Sequence, residues 1–147
     1  MAGQYTRLAK TYRIAASNVN ENGKNEIPVY RGVTLAGAGE VKLPSADNQV
    51  PLGVTVLDER LDDPLRAGGS QAGRQIGVQL DGIPMIELAE TVAAGDRIYL
   101  GQYGKGKKVP TTPNATPVKY EVLGFAEKGG NAGDVVPVRF AYHVYEI

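Results

Sequence analysis

Apolar residues in this chain come in short alternating bursts, cut by Gly, Pro or Asn, and no stretch sustains the 3.6-residue period of an amphipathic helix. Bursts of that length cannot make stable helices, so the pattern requires many short strands joined by tight turns. The 147 residues include 19 Gly and 9 Pro without a periodic Gly repeat, and 42% are hydrophobic. A chain of this size can bury a core of its own.

Strands are expected at Pro28 to Leu35, Glu40 to Leu43, Val50 to Leu57, Arg74 to Leu80, Arg97 to Leu100, Val118 to Phe125 and Asp134 to Ile147. Within the third, Val50, Leu52, Val54 and Val56 share a face; within the last, Val136, Val138, Phe140, Tyr142 and Val144 do. Asp81-Gly82 marks a hairpin turn or a bulge, and Pro84 favours an edge position if the strand continues. Little helix is expected. Leu57 to Gly73, acidic and then Gly-rich, reads as a long surface loop.

A short unit recurs before strands: Ala72-Gly73-Arg74, Ala94-Gly95-Asp96 and Ala132-Gly133-Asp134. Turn chemistry explains it, since Gly tolerates positive φ and Asp accepts hydrogen bonds from nearby backbone N–H groups. These signals together specify an all-β fold, a compact β-barrel or β-sandwich of short antiparallel strands.

The first 26 residues differ. Gln4 to Ala16 alternates weakly, with Leu8, Tyr12 and Ile14 on one side and Arg7 and Arg13 on the other. Ser17 to Asn25 is polar and has almost nothing to bury. Residues 1–26 therefore read as an extended basic N-terminal arm and polar linker, and residues 27–147 as the β-rich domain. Through Arg31, the N-terminal region carries an excess of three positive charges.

Chemistry is sparse. Sixteen basic residues balance sixteen acidic ones, leaving no overall field to attract nucleic acid or an anionic membrane. Cys is absent, which removes disulfides, thiolate catalysis and Cys-ligated zinc, and is compatible with synthesis in a cytoplasm. The N-terminus has no apolar signal-peptide core, and no run of about 18 apolar residues occurs, so no membrane span is expected. His143 is the single histidine; it reads as an ordinary strand residue. Asp58, Glu59, Asp62 and Asp63 lack the EF-hand spacing and read as a solvated loop. Gly101 to Lys108 lacks the P-loop pattern, so Lys105, Lys107 and Lys108 read as a mobile basic hairpin tip. No catalytic, cofactor-binding or metal site is expected, and the chain does not read as an enzyme.

Five segments in order carry a family resemblance: Pro51-Leu52-Gly53-Val54, Ile76 through Ile83, Val92 through Leu100, Val122 through Ala126, and Ala132 through Phe140. Together they resemble the capsid cement, or head decoration, proteins of tailed bacteriophages, over about two-thirds of the chain. The resemblance implies a virion protein on the outer surface of an icosahedral head. Such a protein binds the major capsid protein after the shell expands and often sits as a homo-oligomer, typically a trimer. The N-terminal arm and the loop from Leu57 to Gly73 depart from the compact members.

The attachment expected from the residues is strand addition by the arm. Leu8, Tyr12 and Ile14 would bury against the shell while Arg7, Lys10 and Arg13 meet acidic groups, with Tyr5 also among the arm's partner-binding residues. Removing residues 1–16 should then abolish binding and leave the fold intact. Two other readings remain open: a tail or baseplate β-domain, and a small β-barrel carrier, for which the Lys residues of the tip loop are poorly placed.

Overall fold

Apolar alternation places strands and turn residues end them, and the computed structural model describes the result for residues 8–60, 70–71 and 75–147. Among these residues twelve strands occur: β1 (Ala9–Ile14), β2 (Glu26–Ile27), β3 (Gly32–Gly37), β4 (Glu40–Lys42), β5 (Gly53–Arg60), β6 (Ser70–Gln71), β7 (Gln75–Gln79), β8 (Met85–Glu87), β9 (Arg97–Leu100), β10 (Gly106–Lys108), β11 (Lys119–Ala126) and β12 (Val135–Glu146). The one helical element among the described residues is a 3-10 turn at Gln102–Gly104.

β1, β4, β3, β5 and β7 close into a barrel. Its core packs Tyr12, Ile14, Ile27, Val33, Val41, Leu43, Ile76 and Val78. The second half forms a five-stranded sheet in the order β10-β9-β11-β12-β8. A bridge between Leu88 and Gly106 joins its two edges, so the sheet curls around Ile86, Leu88, Ile98, Leu100, Leu123, Val136 and Val138. Val54 of the barrel is buried in this second core, which makes the units share packing. β8 is an edge strand, as Pro84 requires, and the turn at Gly82 (φ +78°) carries the chain between units rather than closing a hairpin.

Residues 9–14 of the expected extended arm form a strand of the barrel. β1 pairs antiparallel with β7 from Ala9↔Gln79 to Arg13↔Gln75 and parallel with β4. Tyr12 and Ile14 are 7% and 1% exposed in their own barrel. The alternation that suggested burial was right; the surface they bury against is their own. The polar linker is also an ordered loop. Asn18 accepts from Leu43 N–H (2.8 Å) and donates to Asn25 (3.0 Å), and Asn25 donates to the carbonyls of Ala15 and Ala16. Asn side chains satisfy backbone groups here where an apolar core is lacking. Of the expected loop from Leu57 to Gly73, residues 61–69 and 72–73 lie outside the described residues. Within the span, β5 runs to Arg60, and β6 pairs with β2.

An ion network centred on the buried Arg31 joins the units. Arg31 is 4% exposed and forks onto Glu21 (Nη1–Oε2 2.8 Å, Nη2–Oε1 3.0 Å), with Glu87 at 3.5 Å and the Tyr103 carbonyl at 3.1 Å. Lys105 completes it, 3.1 Å from Glu87. Beside it, Gly104 (φ +81°) packs its α-carbon against the Gly32 backbone so closely that a side chain would overlap the Gly32 carbonyl.

Candidate functional surfaces

Among the described residues no group of His, Asp and Glu converges as a metal site, and no helix is long and apolar enough to cross a membrane. The expected basic tip is pinned rather than free. Lys107 pairs with Asp47 at 3.0 Å, Lys105 with Glu87, and the Lys108 N–H donates to Glu90. The Gln102 backbone N–H and Lys107 hold the Asp47 carboxyl below its usual range, and Asp47 in turn raises Lys107.

The seven residues expected to grip a partner divide three ways. Tyr5 and Arg7 lie outside the described residues. Tyr12 and Ile14 are core. Leu8, Lys10 and Arg13 remain exposed on and beside β1, with Leu8 at 56% and Lys10 Nζ 5.2 Å from the Tyr12 ring centroid. Alternation along β1 puts Lys10 on the face of Tyr12 and Ile14 and Arg13 on the opposite one, and both side chains are exposed.

A second surface lies between the units. The β3–β5 ladder registers at Gly32↔Val54 and Val33↔Gly53, then ends at Pro51, which has no N–H to donate. A groove of about 660 Å³ opens there, lined by Thr34, Leu35, Lys42, Val50, Leu52 and Glu121. Leu35 and Val50 are 59% and 56% exposed. Above it, β11 and β12 run on past the second core. Tyr142 and Val144 continue the inward face of Val136, Val138 and Phe140, as the alternation predicts, yet nothing covers them. Tyr142 donates to Glu121, which raises its phenol above the ordinary value.

The third surface is the outer face of the curled sheet. Register places Arg97, Phe125 and Arg139 in one row across β9, β11 and β12. The guanidinium carbons stand 5.4 and 5.3 Å from the Phe125 centroid, and that of Arg97 lies 3.9 Å from the Tyr145 centroid. His143 stacks on Phe125 (5.5 Å, 19°). Its Nδ1 contacts the Ala141 carbonyl at 2.8 Å, which can only accept, so Nδ1 carries the proton and Nε2 accepts from Arg97 Nε at 3.3 Å. Sequence reading left His143 as an ordinary strand residue. Only knowledge of the register could have shown its neighbours.

The comparisons fit this picture. Residues 1–141 match the family described as structural cement protein (E217 gp24/Pam3 gp6). Among solved structures, the chain is similar to the N base of head fiber gp8.5 of bacteriophage phi29. That match has a TM-score of 0.58 and 18% identity, covering 92% of this chain and 95% of that one. At that identity the likeness speaks for the fold. No curated protein matches the chain. A fold built of strands with its chemistry confined to surfaces, and a family match over nearly its whole length, lead to one assignment: the chain belongs to the phage structural cement protein family.

Proposed function

We infer that this cement protein attaches to the outer surface of the expanded phage head through the N-terminal side of its barrel. Membership of the family makes it a capsid-stabilising structural protein of the virion. The finer mechanism rests on one observation: the family match begins at residue 1, while β1 just beyond leaves Leu8, Lys10 and Arg13 exposed. Tyr5 and Arg7 extend the same basic, apolar pattern. Tyr12 and Ile14 contribute indirectly, anchoring β1 to the barrel core.

In this reading the partner is the major capsid protein, and the exposed cations meet acidic groups on it. Individual contacts of this kind are weak. Several copies joined as a trimer would gain affinity through effective concentration, because a second contact becomes intramolecular once the first has formed.

The direct test mixes purified protein with expanded, undecorated heads of its own phage and measures co-sedimentation and resistance to heat and shear. Saturable binding with raised resistance is expected; no binding to expanded heads would overturn the reading. The contact is tested by Lys10→Glu combined with Arg13→Glu, both exposed on β1. This variant should fold normally and bind about tenfold less tightly or worse, as close charge reversals at interfaces do. Removal of residues 1–16 is not a clean test, since it takes out a barrel strand.

A further inference from the structure

We propose that the outer face of the curled sheet carries a second contact, at which Arg97 receives a carboxylate side chain from an acidic segment of the capsid shell. This rests on the capsid-binding reading above and adds a site remote in sequence from β1. Arg97 lines a recess of about 210 Å³ together with Asp96, Val109, Thr111, Tyr145 and Ile147. Its guanidinium is held on two sides, face to face with Tyr145 at 3.9 Å and through Nε to His143 Nε2 at 3.3 Å.

What remains are the two Nη groups. Among the described residues they have neither a hydrogen-bond acceptor nor a carboxylate within ion-pair distance. They are also not buried orphans, since that status falls to Arg31 Nε alone. A planar guanidinium fixed at Nε and stacked on a ring presents its Nη edge as a preformed fork, the geometry that matches a carboxylate. Holding the side chain in advance removes much of the ordering cost of binding. The recess suits a single Asp or Glu side chain.

The pull on an anionic occupant comes from the Arg97 fork itself, since Asp96 also lines the recess, with its Oδ2 turned to accept from the Ala93 N–H at 2.9 Å. Arg139, across Phe125, adds a second cation with its side chain 60% exposed. Its contact with Glu127 is a single 3.4 Å approach between exposed groups, weak enough to exchange for a partner. The row Arg97–Phe125–Arg139 thus offers two oriented guanidiniums on a rigid sheet.

The test uses expanded, undecorated heads and three proteins: wild type, Arg97→Gln and Thr111→Glu. Thr111 is exposed, and a carboxylate there fills the recess from within the chain, at the rim of the small cluster of Tyr99, Val109, Tyr120 and Val122. Both variants should bind at least tenfold more weakly than wild type, and Thr111→Glu should keep its melting temperature. The salt dependence of wild-type binding should flatten in both, since a charge contact is lost. Wild-type binding with Thr111→Glu unimpaired would overturn the second contact while leaving the β1 contact standing, even if Arg97→Gln failed to fold. Absence of wild-type binding would overturn the capsid reading and this inference together.

Discussion

The two units solve the problem of strand edges differently, and the contrast locates where each is stable and where each is open. The barrel removes its edges by closing, and its last strand in space is the first in sequence: β1 seals β7 against β4. The curled sheet sets two hairpin pairs, β9–β10 and β11–β12, side by side, adds β8 on β12 and joins its edges by a bridge, while β11 and β12 run on beyond its core. Closure makes the barrel depend on its N-terminus. Overhang leaves the second unit with apolar and basic surface to spare.

The largest effect should come from breaking the seal. Ile14→Ala removes a buried side chain of β1, and a loss of about 2–5 kcal/mol is expected from lost transfer energy and the cavity left behind. Chemical denaturation measures it; a loss below about 1 kcal/mol would mean that β1 is dispensable to the barrel.

The junction between units should respond to acid. The Arg31 guanidinium fork holds the Glu21 carboxyl below its ordinary value of 4.5, against burial, which acts to raise it. A carboxyl depressed in the folded state contributes stability above its unfolded value, and this is lost as pH falls through the folded one. Wild type should therefore lose stability as pH drops below about 4.5. Glu21→Gln should show a shallower loss over that window in thermal melts, and an identical slope would remove Glu21 from the account.

Two repeated turns give a smaller, matched pair of effects. Gly95 and Gly133 both sit at φ +90°, and a Cβ at either would meet nothing within 4 Å. Gly95→Ala and Gly133→Ala should each cost about 1 kcal/mol, from backbone strain alone. Unequal costs would show that the turns are not equivalent.

On the overhang, Val144→Ser should change stability by less than about 0.5 kcal/mol, because the residue is 51% exposed. Placed beside Ile14→Ala, it sharpens the difference between a strand that closes a core and one that outruns it.

The turns were legible in the sequence because their physics is local. In Ala93 to Asp96 and in Asn131 to Asp134 the Asp carboxylate accepts from the N–H three residues back (2.9 and 2.8 Å), and the Gly between takes positive φ. The third copy of the motif, at Ala72 to Arg74, lies outside the described residues. Strand faces were legible for the same reason, down to the shared face of Val136 through Val144. Where that face stops being covered was not, since Tyr142 and Val144 have the same pattern as Val138 and differ only in what lies opposite.

The arm shows the limit most clearly. Alternation in Leu8 to Ile14 determined that one side of this segment would be buried, but the identity of the covering surface depends on contacts with β7, more than sixty residues away. Likewise, ionic pairing of Arg31 with Glu21 and the row of Arg97, Phe125, Arg139 and His143 arise from register between distant strands. The sequence by itself determined an all-β chain, its turns, its strand faces and, through an ordered set of motifs, its family. Tertiary structure alone decided that β1 closes a barrel, that Lys105 and Lys107 of the basic tip are paired with carboxylates, and which cations stay exposed. Periodicity and turn propensity act within a few residues, whereas closure and charge pairing are settled only when segments far apart in the chain compete for the same space.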